Sequence, residues 1–328
     1  MDSGMDKILV TCADGFVWRH LCRTMRQSGF SVRGSVWKDK FVRDNESAIE
    51  YVISGDIGSD TDWTESLKEV DMVVHLSGRA HMLRENPSDP LVRQEYDKVN
   101  TLGTIQLAKM AAAANVRKFI FISSAGVNGQ ETHSRPFSES DKPCPSSLYA
   151  LSKWKAEEGL LQMHHQGQLP IVIIRPPLVY GPDVPGNFLS LLRLVDLGVP
   201  LPFGRINNKR SLVGINNLVN FIMLCLRESG ASGEIFLVSD GEDLSTPELI
   251  RRIAFFLGRR QYLIPVSYKI LQILASVVGK RKALEKLCHS FQVDSGKTKN
   301  ILNWSPPFSV DEELEQTVKW YKNKYKNN

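Results

Sequence analysis

Three side chains have the types and spacing for proton transfer at an alcohol. Tyr149 and Lys153 stand four positions apart in LYALSKWKAEEGLL, and Ser124 lies upstream in KFIFISSAGVNG, directly after an apolar run. On a helix a step of four residues turns about 400°, so the phenol and the ammonium share one face. A neighbouring ammonium lowers the tyrosine pKa towards working pH, and the serine hydroxyl can hold the substrate oxygen. Tyr-x-x-x-Lys also occurs by chance, as a surface lysine beside a half-buried aromatic residue, so its meaning depends on the rest of the chain.

The composition is that of an ordinary soluble globular protein. The chain has 328 residues, of which 42% are hydrophobic and 23% are charged. This length predicts about two domains, or one large domain with a lobe. The net charge of +5 includes no basic block of the kind that nucleic-acid-binding proteins carry, so no nucleic-acid partner is expected. A modest positive charge suits a small anionic substrate.

The cysteines indicate neither a metal site nor a disulfide framework. Their number is odd and their spacing lacks the pairs that metal ligands form; they are Cys12, Cys22, Cys144, Cys225 and Cys288. We therefore expect a reducing cytoplasm. The segment after Met5 leads straight into a predicted strand, so no signal peptide is expected.

The longest apolar run, residues 268–278, is too short to span a membrane, which takes about 18 residues or more. Its apolar positions repeat as in a helix with one buried face. The basic residues that follow, Lys280, Arg281 and Lys282, either rest on anionic lipid or form a solvated helix end, and the solvated end is the favoured interpretation.

Strand-like and helical segments alternate in the first half of the chain. The predicted strands are residues 7–11, 31–36, 72–76, 119–122 and 171–175, with helical patterns between them. Continuous apolar strands in this order predict a doubly wound α/β domain, in which a parallel sheet is covered on both faces. A nucleotide is then expected across the carboxyl ends of the strands.

Beyond RPPLVYGP, residues 175–182, helical patterns dominate, with one clear strand at 234–238. We predict a dinucleotide-binding domain over 1–180 and a smaller, mostly helical substrate-binding lobe over 181–328. Elements within 170–240 are expected to cross between the two.

Several motifs in this order resemble the extended short-chain dehydrogenase/reductase family, in particular its nucleotide-sugar epimerase and dehydratase branch. The resemblance covers nearly the whole chain. The matching segments are TCADGF, Gly55-Asp56-Ile57, VVHLSGRAH, Asn100, SSAGVNG, YALSK, RPPLVYGP, KRSLVGINNLV and KTKNILNWSP. This resemblance implies a Rossmann fold, a nicotinamide dinucleotide cofactor and a nucleotide-diphosphate sugar as substrate, with UDP as the expected nucleotide.

The resemblance also implies a role for each matching residue. Ser124, Tyr149 and Lys153 match the catalytic residues, and Lys153 also holds the nicotinamide ribose. Cofactor-binding positions are matched by Tyr149 and Lys153 and by Thr11, Cys12, Asp14, Gly15, Phe16, Val17, Asp56, Ile57, Leu76, Ser77, Gly78, Asn100, Ser123, Pro176 and Val179. Ser124, Asn187 and Arg210 match substrate-binding positions, and a guanidinium suits the diphosphate because its fork pairs with phosphate oxygens. No metal is implied, and the family pattern implies a homodimer through helices that include the one carrying Tyr149.

The residues after the catalytic serine distinguish reaction types in this family. The dehydratases carry an Asp-Glu pair there, and decarboxylating members keep a glutamate, whereas this chain has Ser124-Ala125-Gly126. Without a carboxylate for the second proton transfer, dehydration and decarboxylation are disfavoured. A 4-epimerase acting on UDP-glucose or a UDP-N-acetylhexosamine and a 4-keto-sugar reductase of surface polysaccharide synthesis remain, with the epimerase slightly ahead. Phe291 falls where galactose-type epimerases place a pocket-gating residue, and its bulk would disfavour an N-acetyl group.

The first turn departs from the family pattern Thr-Gly-x-x-Gly-x-x-Gly. Gly15 keeps the middle glycine, but Cys12 and Trp18 replace the other two. A tryptophan where helix and sheet nearly touch is expected to cost about 1–3 kcal/mol, unless the helix moves outward and the indole packs over the adenosine or a neighbouring helix. Glycines at both positions are expected to tighten cofactor binding. The alternative is a cofactor-impaired binding protein of the same fold.

The end of the second strand leaves the choice between NAD and NADP open. It lacks the acidic residue that would bind a ribose 2′-hydroxyl, while Arg33 and Lys38 could face a 2′-phosphate. Asp39 could still fold back as the ribose partner. NAD is slightly favoured by the family.

Overall fold

The computed structural model describes residues 5–326, except for 14, 39–48, 80–85, 87, 278 and 280. Asp14 and Asp39, predicted to contact the cofactor, lie outside the described residues, as do Lys280 and part of the VVHLSGRAH motif. The strands are β1 (Lys7–Thr11), β2 (Ser31–Val36), β3 (Glu50–Ile53), β4 (Met72–His75), β5 (Lys118–Ile122), β6 (Ile171–Arg175), β7 (Leu178–Tyr180), β8 (Arg210–Gly214), β9 (Ile235–Leu237) and β10 (Asp243–Leu244).

Helices lie between most of the strands. They are α1 (Phe16–Gln27), α2 (Thr64–Leu67), α3 (Pro90–Tyr96), α4 (Gly103–Ala113), α5 (Leu148–His165), α6 (Gly186–Asp196), α7 (Ile215–Arg227), α8 (Thr246–Leu257), α9 (Tyr268–Val277), α10 (Arg281–Cys288), α11 (Gly296–Leu302) and α12 (Val310–Tyr325). A wider π-helical segment, Asp97–Leu102, joins α3 to α4. Among the described residues, no helix combines the length and the hydropathy that a membrane span requires.

Seven strands form one parallel sheet in the order β3-β2-β1-β4-β5-β6-β9. The strands β5 and β6 are buried along their whole length, because helices cover both faces of the sheet. The chain leaves β1 towards β2 on one side and returns to β4 on the other. This reversal of strand order opens a crevice at the carboxyl edge, where doubly wound folds bind nucleotides. The predicted fold class is confirmed.

Alternate residues of the sheet strands pack into two separate hydrophobic cores, one on each face of the sheet. Ile8 and Val10 of β1 pack with α1 and α7 on one face of the sheet, whereas Leu9 points to the other face. There it packs with residues of α4 and α5, including Leu107 and Leu160. This period of two is what an extended strand dictates. The helix α5, which carries Tyr149 in its first turn, is thereby held against the sheet.

The remaining elements build a smaller lobe. A three-stranded sheet in the order β10-β8-β7 packs with α6, α8, α9, α10 and α12 around a core of its own. The strand β9 and the helix α7 come from the second half of the chain but pack on the large sheet. Their placement agrees with elements crossing between the lobes, while the division of the chain at residue 180 stays a prediction.

Candidate active site

Ser124 and Tyr149 sit on adjoining elements at the carboxyl edge of the sheet. Ser124 follows β5 and caps a short 3₁₀ turn, its Oγ accepting a hydrogen bond of 3.1 Å from the Gly126 amide. The helix α5 begins after Ser147, whose Oγ accepts from the amide of Ala150 at 3.2 Å. A Cβ added to Gly126 would lie 3.3 Å from Ser124 Oγ and 3.6 Å from Ala150 Cβ. The serine turn therefore rests directly on the first turn of α5, as the predicted trio requires.

Lys153 reaches back from α5 to the ends of two strands. Its Nζ donates to the carbonyl of Ile122 at 3.0 Å and to the carbonyl of Ser77 at 3.3 Å, and it lies 4.5 Å from the ring centre of Phe121. The side chain is buried, and burial lowers the pKa of this ammonium to about 8. Lys153 thus joins β4, β5 and α5 at the point where the cofactor is expected.

The environment of Tyr149 corrects one expectation. Burial raises the pKa of the phenol to about 12, and the neighbouring Tyr96 acts in the same direction. The predicted fall in the tyrosine pKa is not found in this arrangement, because burial favours the neutral phenol. To act as a base near neutral pH, Tyr149 needs further positive charge beside it.

The turn between β1 and α1 keeps its glycine-like shape without the first glycine. Cys12 adopts a left-handed conformation with φ of 65°, and its carbonyl accepts a hydrogen bond of 2.9 Å from the Gly15 amide. A Cβ on Gly15 would lie 3.3 Å from Cys12 Sγ. The cysteine side chain therefore lies over Gly15, in the turn that receives a pyrophosphate in such folds. Phe16 and Val17 form the first turn of α1.

Trp18 does not crowd the sheet. Its indole is buried over β2 and β3, with Cζ2 3.1 Å from where a Cβ on Gly34 would be and its ring centre 5.9 Å from that of Tyr51. Gly34 leaves room for the indole on the sheet itself, and packing over the adenosine stays a prediction.

Other predicted cofactor residues hold the strand ends in place. Thr11 Oγ1 accepts from the amides of Leu76 and Ser77 at 3.0 and 3.1 Å, which joins β1 to the end of β4. Asn100 Oδ1 accepts from the amide of Arg79 at 2.6 Å. A Cβ on Gly78 would come within 3.1 Å of Lys153 Nζ. The absence of a side chain at Gly78 therefore provides the space that the Lys153 ammonium occupies. The segment running along the predicted cofactor is thus fixed by its own hydrogen bonds.

Two observations show that this edge of the sheet fits a dinucleotide. Ser123 Oγ is buried at the end of β5 and has no hydrogen-bond partner among the described residues. A buried hydroxyl of this kind is usually satisfied, so a polar group of a bound ligand is its natural partner. The left-handed turn at Cys12 also brings the amino end of α1 to the same crevice, where a helix favours phosphate.

The adenine-side residues are only partly free for a ligand. The Asp56 carboxylate accepts a hydrogen bond from Trp37 Nε1, and Lys38 Nζ lies 4.1 Å from the ring centre of Trp37. Ile57 packs closely on Gly103 at the start of α4. The contact of Trp37 with Asp56 was not predicted from the sequence. An aromatic residue directly after β2 was the sequence feature that could have indicated it.

Arg33 does not face a 2′-phosphate, so that suggestion is wrong. Its Nη1 donates to the carbonyls of Glu65, Ser66 and Lys68 at 3.0, 3.2 and 2.6 Å, and its Nη2 pairs with Glu50 at 2.7 Å. The guanidinium thus binds the free carbonyls at the carboxyl end of α2 and links that helix to β2 and β3.

On the substrate side, Arg210 and Phe291 come together. Arg210 Nη1 donates to the carbonyl of His289 at 2.8 Å, and its guanidinium lies 5.8 Å from the ring centre of Phe291. Burial lowers the pKa of Arg210 to about 10. Asn187 is exposed in the first turn of α6, and among the described residues no hydrogen bond joins it to Arg210.

The segment after β6 borders the predicted cofactor site. The Pro176 carbonyl accepts from the amide of Ala125 at 3.0 Å, and Val179 of β7 pairs with Val213 of β8. The first contact ties this segment to the serine turn. Pro176 therefore lies next to the predicted nicotinamide position.

Sequence reasoning missed a buried ion pair beneath α5. Glu157 Oε2 accepts from Arg175 Nη2 at 2.5 Å, and Arg175 Nη1 donates to Asn128 Oδ1 at 3.0 Å. Both charged side chains are almost fully buried. Glu157 lies one helical turn after Lys153, and Arg175 ends an otherwise apolar strand; these were the signals available.

A doubly wound sheet with a serine, a tyrosine and a lysine at its carboxyl edge defines a short-chain dehydrogenase/reductase fold. The chain belongs to the NAD dependent epimerase/dehydratase family, whose model matches residues 8–239. The recognised family is confirmed. Because the family is NAD dependent, NAD is the cofactor favoured over NADP.

Two relatives agree with this assignment, and a solved structure shares the fold. A UDP-glucose 4-epimerase of Vibrio cholerae is 40% identical over 314 residues, 95% of this chain and 94% of the relative. An N-acetyl-alpha-D-glucosaminyl-diphospho-ditrans,octacis-undecaprenol 4-epimerase of Escherichia coli O157:H7 is 25% identical over 96% of this chain and 95% of the relative. A UDP-glucuronic acid 4-epimerase from Bacillus cereus, solved in complex with NAD, has a TM-score of 0.78 at 24% identity and covers 98% of this chain and 100% of that one.

Proposed function

We propose that this protein inverts C4 of a hexose carried on a diphosphate, with UDP-glucose and UDP-galactose as its first candidate substrates. The observation that carries the proposal is the serine, tyrosine and lysine trio at the edge of the sheet, with Ala125 and Gly126 where a dehydratase would need carboxylates. The 40% identity to a UDP-glucose 4-epimerase over 95% of this chain supports it.

Tyr149 is the base and acid of the proposed reaction. Its phenol takes the proton of the C4 hydroxyl as the alcohol becomes a ketone and returns that proton when the ketone is reduced. Ser124 Oγ, held by the Gly126 amide, donates to or accepts from the same oxygen. NAD, when bound, supplies reversible hydride transfer at C4 and a positive charge that favours the phenolate.

Lys153 assists this proton transfer through its positive charge. Its ammonium is fixed between the carbonyls of Ile122 and Ser77, so its charge has a constant position relative to Tyr149. The same ammonium is the donor that we assign to the ribose hydroxyls of NAD. We assign the pyrophosphate to the turn of Cys12 and Gly15.

Arg210 is the proposed ligand of the substrate diphosphate. It is partly buried, bonded to the His289 carbonyl and next to Phe291, so its guanidinium is held in one place. Phe291 also contacts Phe137 edge to face, with 5.6 Å between ring centres, which makes that wall of the pocket bulky and stiff. This wall favours hexoses over N-acetylhexosamines.

The carrier beyond the diphosphate is a separate question. The Vibrio cholerae relative is named for a uridine nucleotide, and the Escherichia coli relative for a polyprenyl diphosphate. Both carriers present a sugar on a diphosphate, which Arg210 could hold in either case. Identity favours uridine.

We also propose a cytoplasmic homodimer. The odd number of cysteines and their spacing support a reducing compartment. The dimer would form through helices that include α5, as the family pattern implies, and sedimentation velocity would test it.

The test of the function is product analysis without added reductant. Purified protein is incubated with UDP-glucose, UDP-galactose, their N-acetyl forms or N-acetylglucosaminyl-diphospho-undecaprenol, and the sugars are identified by NMR. We expect the C4 epimer of at least one substrate, faster for the hexoses, and none with Tyr149→Phe. Turnover of a supplied 4-keto sugar only, with consumption of NADH or NADPH, would show a reductase instead; no turnover despite NAD binding would contradict both.

A further inference from the structure

Helix α9 presents an apolar stripe to solvent. Ile270, Ile273, Leu274 and Val277 follow the spacing of one helical face and are 51%, 65%, 57% and 82% exposed. The opposite face packs into the lobe, where Leu271 is buried. A surface helix normally turns its single apolar stripe inward and polar residues outward. The helix α9 therefore has a second apolar face, which its own lobe does not cover.

Basic residues border this apolar stripe. Between residues 259 and 284 the sequence has lysine or arginine at six positions and no aspartate or glutamate. In the structure, Lys269 and Arg281 are exposed and line one surface cleft together with Ile273 and Val277. Arg281 Nε also pairs with Glu285 at 3.0 Å, which offsets part of its charge. An apolar helical face bordered by cations is complementary to the interface of an anionic bilayer.

The helices α9 and α10 form a hairpin whose base adjoins the predicted diphosphate site. The turn contains Gly279, with φ of 67°. At the other end, the hydroxyl of Tyr268 is hydrogen-bonded to His289 Nε2 at 2.7 Å, and Arg210 Nη1 donates to the His289 carbonyl at 2.8 Å. The stripe therefore starts near the residue that we assign to the diphosphate and runs about 10 Å along α9.

We propose that the apolar stripe of α9 and its bordering cations dock this protein on an anionic lipid bilayer, with α9 lying in the interface. The helix has 10 residues, which is too short to span a bilayer but long enough to lie on one. A two-fold contact with a second copy fits less well, because it would bring the cations of one copy against those of the other. The inference does not rest on the proposed epimerisation.

Vesicle flotation with the full chain tests the docking surface. Vesicles of phosphatidylcholine, alone or mixed with phosphatidylglycerol, are floated with the wild type, with Ile273→Asp/Val277→Asp and with Leu91→Asp. Leu91 is the matched control, because it is 68% exposed on α3, outside the hairpin. We expect the wild type to float with the anionic vesicles, less so as salt rises, and the double variant to lose about tenfold or more of its bound fraction.

Leu91→Asp should bind as the wild type does, and circular dichroism should show all variants folded. Lys269→Glu should weaken binding to anionic vesicles while leaving the small binding to phosphatidylcholine unchanged. Equal flotation of the wild type and the double variant would overturn the proposal, as would a wild type that floats with neither vesicle. A wild-type dimer that the double variant converts to monomer would also overturn it, in favour of a contact between copies.

Discussion

The indole of Trp18 fills the space that a side chain at Gly34 would need. Its Cζ2 lies 3.1 Å from an ideal Cβ on Gly34, and Ala13 Cβ lies at the same distance. A glycine in the middle of β2 thus compensates for a tryptophan in α1. The helix stays close to the sheet, although the glycine that usually permits this contact is absent.

Gly34→Ala is expected to destabilise the protein by about 1–3 kcal/mol, because the added methyl overpacks the site between Trp18 and Ala13. The free energy of unfolding from urea titration measures this. Gly230→Ala is the control, since a Cβ there meets nothing within 4 Å. In a Trp18→Leu background the penalty of Gly34→Ala should shrink; an unchanged penalty would contradict the proposed contact.

The two departures from the glycine-rich turn should behave differently on replacement. Cys12→Gly removes a left-handed non-glycine residue, a conformation that costs about 1–2 kcal/mol, and clears the side chain from Gly15. NADH titration followed by fluorescence should show tighter binding. Trp18→Gly should instead lose about 3–5 kcal/mol of stability, because it empties a buried site. If both variants tighten binding equally, the packing account of Trp18 is wrong.

The sequence was sufficient for the parts of the site that depend on local spacing. The apolar runs of β5 and β6 predicted buried strands, and the four-residue step from Tyr149 to Lys153 placed both on one helical face. The fit of Trp18 could not be predicted, because Gly34 meets it only after the sheet has formed. The high pKa of Tyr149 likewise arises from the burial that the whole fold imposes.

The buried pair of Glu157 and Arg175 should matter for both stability and catalysis. Glu157→Gln leaves the buried guanidinium without its countercharge, and the expected loss in the free energy of unfolding is about 3–5 kcal/mol. Because Glu157 lies one turn after Lys153, the variant should also lower kcat more than it raises KM. Glu158→Gln, at an exposed neighbouring position, serves as control in the same urea and rate measurements. Loss of stability no greater than that of the control would show that the pair contributes little.

Lys153 should make stability depend on pH in the alkaline range. Its pKa is lowered from 10.5 to about 8 by burial, so across this interval the unfolded chain keeps a proton that the native protein has released. The free energy of unfolding contributed by this group therefore rises as pH rises through the interval and is lost as pH falls back through it. Urea titrations at a series of pH values should show that Lys153→Met abolishes this rise, whereas Lys109→Met, at an exposed position on α4, preserves it. The same slope in the wild type and in Lys153→Met would mean that the lysine is not desolvated, and its assigned place between the ends of β4 and β5 would have to be abandoned.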